Sequence, residues 1–326
     1  MKYLSDPRTV AVVGAPLALG QDLAGVEDAP TALRDVGLAQ AILELGWQVN
    51  DAGDLPFDLP HHRESDIGQV TLGKVKYAHE VGTACHLLSE RVARVASEGK
   101  FCLTLGGDHS IAMGSISGVV KTRPDVSVVW VDAHGDFNTP ESSPSGHLHG
   151  MPLAALMGKI NPGSMPGFDW LTQLLKPDHV TLIGVRSIDP EERVLLRESG
   201  IKVFTMMEVD RYGIGRVMEM ALHAINPDGN RPIHLSLDID ALDPYIAPNT
   251  GTKARGGLNY REAHYICEAL AETGALVSMD LVEINPRLGY LEDRHNLAQG
   301  GTTLQEDATV EMGIELVASA LGKRIL

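Results

Sequence analysis

The sequence predicts an α/β protein in which a parallel sheet lies between two layers of helices. Three observations lead there. Apolar runs of strand length alternate with longer helical segments along the whole chain. Several of these runs are nearly continuous Val, Ile and Leu, the pattern of strands buried on both faces. Three of them end in short clusters of aspartate and histidine, and sites in parallel sheets gather at the carboxyl ends of strands.

Taken in order, the first strand is the run Val10–Gly14, followed by an Ala/Leu-rich helical segment at Ala32–Glu44. A short strand at Trp47–Asn50 precedes a long helix at Val75–Ser97. The apolar run Phe101–Leu105 leads into a helix at Ile111–Lys121, and Val126–Val131 is the next strand. Asn161–Phe168 is rich in Pro and Gly and reads as a surface loop, because the alternation resumes after it. The strand Val180–Gly184 is followed by a helix at Pro190–Ser199, with Asp189 before Pro190 as a natural N-cap. A strand at Lys202–Phe204, a helix at Ile214–Ile225 and a strand at Ile233–Leu237 follow. The last elements are a helix at Tyr260–Glu272, a strand at Leu276–Leu281 and a helix at Leu304–Leu321. No internal repeat or low-complexity stretch interrupts the series, so residues 1–326 read as a single domain.

At 326 residues and 44% hydrophobic composition the chain can build a sizeable core. Its net charge of −16 argues against nucleic acid and anionic membrane surfaces and suits a cationic small substrate. Cys85, Cys102 and Cys267 lack metal-ligand spacing and lie in apolar contexts, as buried thiols of a reducing compartment do. The start, Met1-Lys2-Tyr3-Leu4-Ser5-Asp6, has no apolar signal segment, and no run approaches membrane-spanning length. The expectation is a cytoplasmic enzyme.

The three clusters carry the chemistry. Gly106-Gly107-Asp108-His109-Ser110 follows the strand Phe101–Leu105. Asp132-Ala133-His134-Gly135-Asp136 follows Val126–Val131, and Asp238-Ile239-Asp240 follows Ile233–Leu237. Carboxylates at the ends of buried strands call for a cation to neutralise them. In an extended segment residues two apart point the same way, so Asp132, His134 and Asp136 can converge, and so can Asp238 and Asp240. Any one of these aspartates reads equally well as an N-cap or turn residue. Six together, His109, Asp132, His134, Asp136, Asp238 and Asp240, read as ligands for two divalent ions that share carboxylates. An oxygen-rich set with two imidazoles and no thiolate suits Mn²⁺ better than tetrahedral Zn²⁺, with Co²⁺, Ni²⁺ and Fe²⁺ also compatible.

Further segments match a known pattern: Gly14-Ala15-Pro16, Gly25-Val26-Glu27, Gly53-Asp54-Leu55-Pro56-Phe57, Gly106–Ser110 and Asp132–Asn138. They continue through Ser145-Gly146 with Leu148-His149-Gly150, Ser236–Pro244, Thr250-Gly251-Thr252, Gly256-Gly257-Leu258 and Glu283-Ile284-Asn285-Pro286. On these segments, nearly end to end, the chain resembles an arginase of bacterial-like type, within the ureohydrolase superfamily. The resemblance implies a single three-layer domain with an eight-stranded parallel sheet, the arginase/deacetylase-like arrangement. It further implies two Mn²⁺ per chain and hydrolysis of L-arginine to L-ornithine and urea by a metal-bridging hydroxide.

The resemblance also assigns roles. His109, Asp132, Asp136 and Asp238 would hold one ion, and His134, Asp132, Asp238 and Asp240 the other, with Asp132 and Asp238 bridging. Asp136 would accept a hydrogen bond from the attacking hydroxide and aim it. Glu283 would pair with the guanidinium, although a lone Glu after a strand is also a common surface charge. His149 would carry the proton to the leaving amine, although a loop His is also commonly solvated. Asn138, Ser143, Ser145 and His147 would meet the α-carboxylate. Asp189, backed by Glu192, would take the α-amine, and Thr252 would line the site. Arg261 and Glu262 match a segment implicated in subunit pairing, so a homotrimer or homohexamer is expected. By the same resemblance, the C-terminal tail that helps join animal trimers is not expected after Lys323-Arg324-Ile325-Leu326.

The departures from the family pattern cluster in the substrate clamp. His147 stands where arginases usually have Asn, and Ser187 where many have Asp. Gly135 replaces a larger residue of animal arginases, and Lys253-Ala254-Arg255 brings two cations to a stretch that is usually neutral. They leave open a ureohydrolase for another guanidino compound, such as agmatine, a guanidino acid or N-hydroxyarginine. A scaffold that has lost catalysis is the third reading, and the complete ligand set with Glu283 speaks against it.

Overall fold

The runs read as strands pair side by side in a computed structural model that describes residues 1–57, 75–161, 163, 165–289 and 307–324. In chain order the strands are β1 Thr9–Ala15, β2 Gln48–Asp54, β3 Phe101–Gly106 and β4 Ser127–Val131. They continue as β5 Val180–Val185, β6 Lys202–Thr205, β7 Ile233–Asp238 and β8 Leu276–Val282. They form one parallel sheet in the order β2-β1-β3-β8-β7-β4-β5-β6. The pairings set register: Leu105 lies beside Leu281, Leu281 beside Leu237, and Leu237 beside Val131.

That order explains why residues far apart in sequence meet. β1 to β3 build one side of the sheet and β4 to β6 the other, and β8 and β7 fill the gap between them. The carboxyl ends of β3, β8, β7 and β4 are therefore neighbours, and each is followed by residues read as site candidates. A crevice at such a reversal of strand order is where parallel sheets bind ligands.

Alternate side chains feed two cores. Val12, Leu103, Val131, Leu237 and Leu281 face one side, with Leu33 of α1 (Ala29–Val36), Ile42 of α2 (Leu38–Glu44), Met218 of α8 (Ile214–Ile225), Ile266 of α9 (Tyr260–Thr273) and Leu316 of α10 (Ala308–Ala320). Val13, Cys102, Trp130 and Leu182 face the other, with Leu88 of α3 (Ala78–Ser97), Ile116 of α4 (Ala112–Thr122), Leu153 of α5 (Pro152–Leu156) and Leu196 of α6 (Pro190–Ser199). Helices on both faces give the three layers the alternation predicts. All three cysteines are buried and free, and burial pushes each thiol pKa up.

Several boundaries differ from the sequence expectation, each for a local reason. The single helix expected at Ala32–Glu44 is two, broken at Gly37, whose φ of 117° only glycine adopts readily. The second strand runs to Asp54, beyond Trp47–Asn50; as a polar edge strand paired with β1 alone it lacks an apolar pattern. The helix expected from Val75 starts at Ala78, and the one expected from Ile111 is entered through a 3₁₀ turn at His109–Ile111. Two short helices, α5 and α7 (Met206–Tyr212), add to the expected set. The expected start of the last helix at Leu304 lies outside the described residues, as do Pro162 and Ser164 of the expected loop and Ile325-Leu326 at the end. No helix among the described residues is long and apolar enough to cross a membrane.

Candidate active site

The three clusters and Glu283 meet above the central strands. After β3 the chain turns through Gly107, where a Cβ would come within 2.2 Å of the Leu17 carbonyl oxygen. Asp108 then caps the turn, accepting hydrogen bonds from Ser110 N at 2.9 Å and Gly20 N at 2.8 Å. This buries His109 with its ring stacked on Trp130, 4.3 Å between centroids, and with Nε2 2.8 Å from Ser236 Oγ. Its Nδ1 then lies 3.1 Å from Asp132 Oδ2, 2.9 Å from Asp136 Oδ2 and 3.2 Å from Asp238 Oδ2.

Asp132 is fully buried at the end of β4. Its Oδ2 accepts from Trp130 Nε1 at 3.1 Å and its Oδ1 from His134 N at 2.7 Å. His134 Nδ1 reaches Asp240 Oδ2 at 3.1 Å and Asp132 Oδ1 at 3.4 Å. Asp238 Oδ1 takes the amide of Asp240 at 2.8 Å, and Asp240 Oδ2 takes the hydroxyl of Thr252 at 2.8 Å. The convergence does not come from an extended chain with period two. β4 ends at Val131, Asp136 has a φ of 50°, and Ile239–Ala241 is a 3₁₀ turn. Tight turns, with carboxylates bonded to amides two residues on, aim the ligands instead.

Two groups of atoms could each surround a metal ion: His109, Asp132 and Asp238, and Asp132, His134 and Asp240. They share Asp132. Asp136 joins the first through His109, while Asp238 belongs to the first group only. The donor set fits a cation. One imidazole N–H cannot serve three carboxylate oxygens, and buried His109 Nδ1 and Asp136 Oδ2 have no hydrogen-bond partner. Burial, with Asp132 beside it, pushes the Asp136 carboxyl up to about 8. Burial and the carboxylates of Asp240 and Asp132 push Asp238 well above its ordinary value. Burial alone would lower the His134 pKa, but Asp240 and Asp132 raise it to about 12. Oxygen donors with imidazoles and no thiolate match a hard or borderline divalent ion.

These residues open onto one cavity. His109, His134, Asp136 and Asp238 line its inner part together with His149. Asp132, Asp240 and Glu283 are buried beside these residues and do not line the cavity. Glu283 is buried, with a φ of 63°. Its Oε1 accepts from His109 N at 2.8 Å and meets His149 Nδ1 at 3.0 Å, while Oε2 has no partner. Burial would lower the His149 pKa, but the Glu283 carboxylate raises it to about 9.

The expected substrate-binding residues line the rest of the cavity: Asn138, Ser143, Ser145, His147, Asp189, Glu192 and Thr252. Asn138 Nδ2 donates to Asp189 Oδ2 at 3.1 Å, and its Oδ1 accepts from Ser142 Oγ at 2.8 Å. Ser143 Oγ accepts from Gly146 N and Ser145 Oγ from His147 N, which shapes the loop before His149. Glu192 Oε2 accepts from the Asp189 amide at 3.3 Å in a capping box at the start of α6, and burial raises its pKa to about 7. Asp189 thus caps a helix and faces the cavity. Ser187 lines the cavity too.

Three contributors escape a reading of the sequence. Asp22 and Lys76 contact His147, and no local pattern marks either of them. Arg186, just past β5, donates to the carbonyls of Gly184, Asp240, Ala241, Leu242 and Ala254. A charged residue directly after the apolar run Val180–Val185 is the signal that could have found it. At the candidate subunit contact, Glu262 Oε2 accepts from Asn259 N at 2.9 Å, capping α9.

Comparison with known proteins agrees with this geometry. The model of the Arginase family matches residues 8–321. An arginase of Glaciozyma antarctica (strain PI12) is 47% identical over 326 residues, 99% of this chain and 90% of that one. Arginase-1 of Homo sapiens is 46% identical over 287 residues, 86% of each chain. The native structure of the arginase from Bacillus caldovelox superposes with a TM-score of 0.85 at 38% identity, covering 98% of this chain and all of that one.

Proposed function

Because this chain belongs to the arginase family, we propose that it is a manganese-dependent amidinohydrolase that converts L-arginine and water to L-ornithine and urea. Residues 1–326 act as a single catalytic domain, working in the cytoplasm as a homotrimer or homohexamer with Arg261 and Glu262 at the subunit contact. The observation that carries the reading is the pair of ligand groups sharing Asp132 at the inner end of a polar cavity.

His109, Asp132, Asp136 and Asp238 would hold one Mn²⁺, and His134, Asp132, Asp238 and Asp240 the other. Bound there, the two cations make a water acidic enough to be ionised at neutral pH. The protein does the rest. Asp136, held at its positive φ, accepts a hydrogen bond from the attacking water and points its lone pair at the guanidinium carbon. Glu283 takes guanidinium N–H groups on Oε2, the oxygen without a partner. Water adds to the guanidinium carbon with loss of a proton to solvent, and the bond from that carbon to arginine's ε-nitrogen, which becomes the δ-amine of ornithine, breaks. His149 delivers a proton to that nitrogen as it leaves, with Glu283 Oε1 orienting the ring through Nδ1. Asn138, Ser143, Ser145 and His147 face the α-carboxylate. Asp189, kept in place by Asn138 Nδ2 and the Glu192 cap, receives the α-amine. Thr252 fixes Asp240.

A second reading, hydrolysis of another guanidino compound, is favoured by His147 and Ser187 in the clamp. Urea release from L-arginine, agmatine and 4-guanidinobutyrate with added Mn²⁺ separates the two. L-arginine should have the highest kcat/KM. A higher value for either of the others overturns the clamp assignment, and no urea from any of them overturns the enzyme assignment.

A further inference from the structure

The turn that follows β3 holds more than the histidine it carries. Gly107 O accepts from Glu283 N at 3.0 Å, and Asp108 Oδ2 accepts from Gly20 N at 2.8 Å. Gly20 O in turn accepts from His149 N at 3.0 Å. His149 Nδ1 lies 3.0 Å from Glu283 Oε1, which closes a ring of contacts. Two adjacent residues, Gly107 and Asp108, thus anchor both members of the His149–Glu283 pair. His149 belongs to a 3₁₀ turn, Leu148–Gly150, and amides at the start of such a turn need partners from outside it. Gly20 supplies that partner.

Asp108 does more than cap its own turn. A cap needs one carboxylate oxygen, and Oδ1 fills that role for Ser110 N and Ser110 Oγ. Oδ2 is turned to Gly20 instead, 88 residues away in sequence. The carboxylate is fully buried, a costly place for a charge, and three donors satisfy it there. Glycine is what lets the two segments meet so closely. A Cβ at Gly20 would fall 2.3 Å from Asp108 Oδ1 and 2.8 Å from Ser110 Oγ. Asp108 N also donates to Leu17 O at 2.8 Å, so the stretch from Leu17 to Gly20 is tied to the turn at both ends.

We propose that Asp108 is a positioning residue for proton delivery: through Gly20 it holds the backbone of His149 where the ring meets Glu283. This deepens the amidinohydrolase reading and rests on it for the role of His149. Glu283 Oε1 orients the imidazole, but a single contact at Nδ1 does not fix where the main chain that bears the ring lies. The Gly20 carbonyl fixes it, and Asp108 fixes Gly20. Asp108 and Gly20 do not line the cavity, so their effect on the reaction passes through His149. A proton donor works only within hydrogen-bond reach of its target, and a misplacement of about 1 Å lowers the rate steeply.

Two substitutions in the full chain loaded with Mn²⁺ test this from opposite sides. Asp108→Asn leaves one acceptor oxygen where two are used. Gly20→Ala forces Asp108 away and is remote in sequence from every candidate metal ligand. Each should lower kcat about tenfold and keep KM for L-arginine within about twofold, the pattern of an interaction made in the transition state. Metal per chain should match the unaltered protein. In the His149→Ala background either change should alter kcat by less than about twofold, because the residue it positions is gone. A crystal structure of Gly20→Ala should show His149 Nδ1 out of hydrogen-bond reach of Glu283 Oε1. An unchanged kcat in folded Gly20→Ala protein overturns the inference. So does a loss of kcat that tracks a loss of metal, or the full loss repeated in the His149→Ala background. If His149→Ala itself leaves the rate unchanged, the proton-path reading fails, and the His149–Glu283 distance in Gly20→Ala still decides whether Asp108 positions the ring.

Discussion

Asp132 is the residue on which both ligand groups depend, since its two oxygens serve opposite sides of the site: Oδ2 faces His109 and Oδ1 faces His134. Asp132→Ala should therefore lose both cations and all activity, whereas Asp240→Ala should keep one cation, read as metal per chain after dialysis. Equal loss in the two variants would contradict a shared Asp132. His149→Ala should keep the metal content and lower turnover by about 100-fold, the usual scale for a positioned proton donor. An unchanged rate across pH would remove His149 from the proton path. The ligands are legible in the sequence because residue type carries their signal: Asp and His crowded at the ends of buried strands are costly unless a cation neutralises them. The Asp22–Lys76 contact with His147 is not, because the fold makes it between residues 54 positions apart in sequence. Glu283 is legible as a site residue, but its place behind His149 is not, since that depends on a φ of 63°.

At the level of elements, the turn that presents Asp240 depends on Arg186. Its guanidinium ties the end of β5 to the Ile239–Ala241 turn and to the Ala254 loop that follows Thr252. A bulkier residue at Gly257 would collide with it, the Cβ falling 2.5 Å from Nη2. Arg186→Met strips these carbonyls of their donor, at about 1–3 kcal/mol for each group that stays dry. Mn²⁺ titration should then show the Asp132–His134–Asp240 group weakened about tenfold, with the His109 group retained. A uniform loss of both would mean that Arg186 supports only the fold. Strands and long helices are readable from apolar runs and spacing, and α6 and α8 match their expected limits. α7 carries a readable signal of its own, the capping box of Thr205 with Glu208 three residues on, but no apolar run of helical length to draw attention to it. α5 is only five residues long, too short for any periodicity to show.

Across the whole molecule, strand order is what brings residues 109, 132–136, 238–240 and 283 together, and nothing in the linear pattern dictates that β8 and β7 enter between β3 and β4. The eight apolar runs give the number of strands and the parallel, three-layer character of the sheet, and they do not give its strand order. The concentration of acid has a global consequence. Burial raises Glu192 to about 7, and Glu283 raises His149 to about 9 against the effect of burial. Both pKa values exceed the unfolded ones, about 4.3 for Glu and 6.5 for His, so the folded state binds more protons. The Glu192 contribution is present at low pH and lost as pH rises through about 7, and the His149 contribution is lost through about 9. The Tm of cation-free protein should therefore fall steadily between about pH 5 and pH 9, and saturating Mn²⁺ should flatten the profile by binding the folded state. A cation-free Tm that rises over that interval would contradict the assigned electrostatics.

Anomalous diffraction at the manganese edge, from crystals grown with excess Mn²⁺, tests the two-ion site most directly. Two peaks should appear, one bounded by His109, Asp132 and Asp238 and the other by Asp132, His134 and Asp240, with Asp132 in contact with both. A single peak, or none among these side chains, would contradict a paired-cation centre.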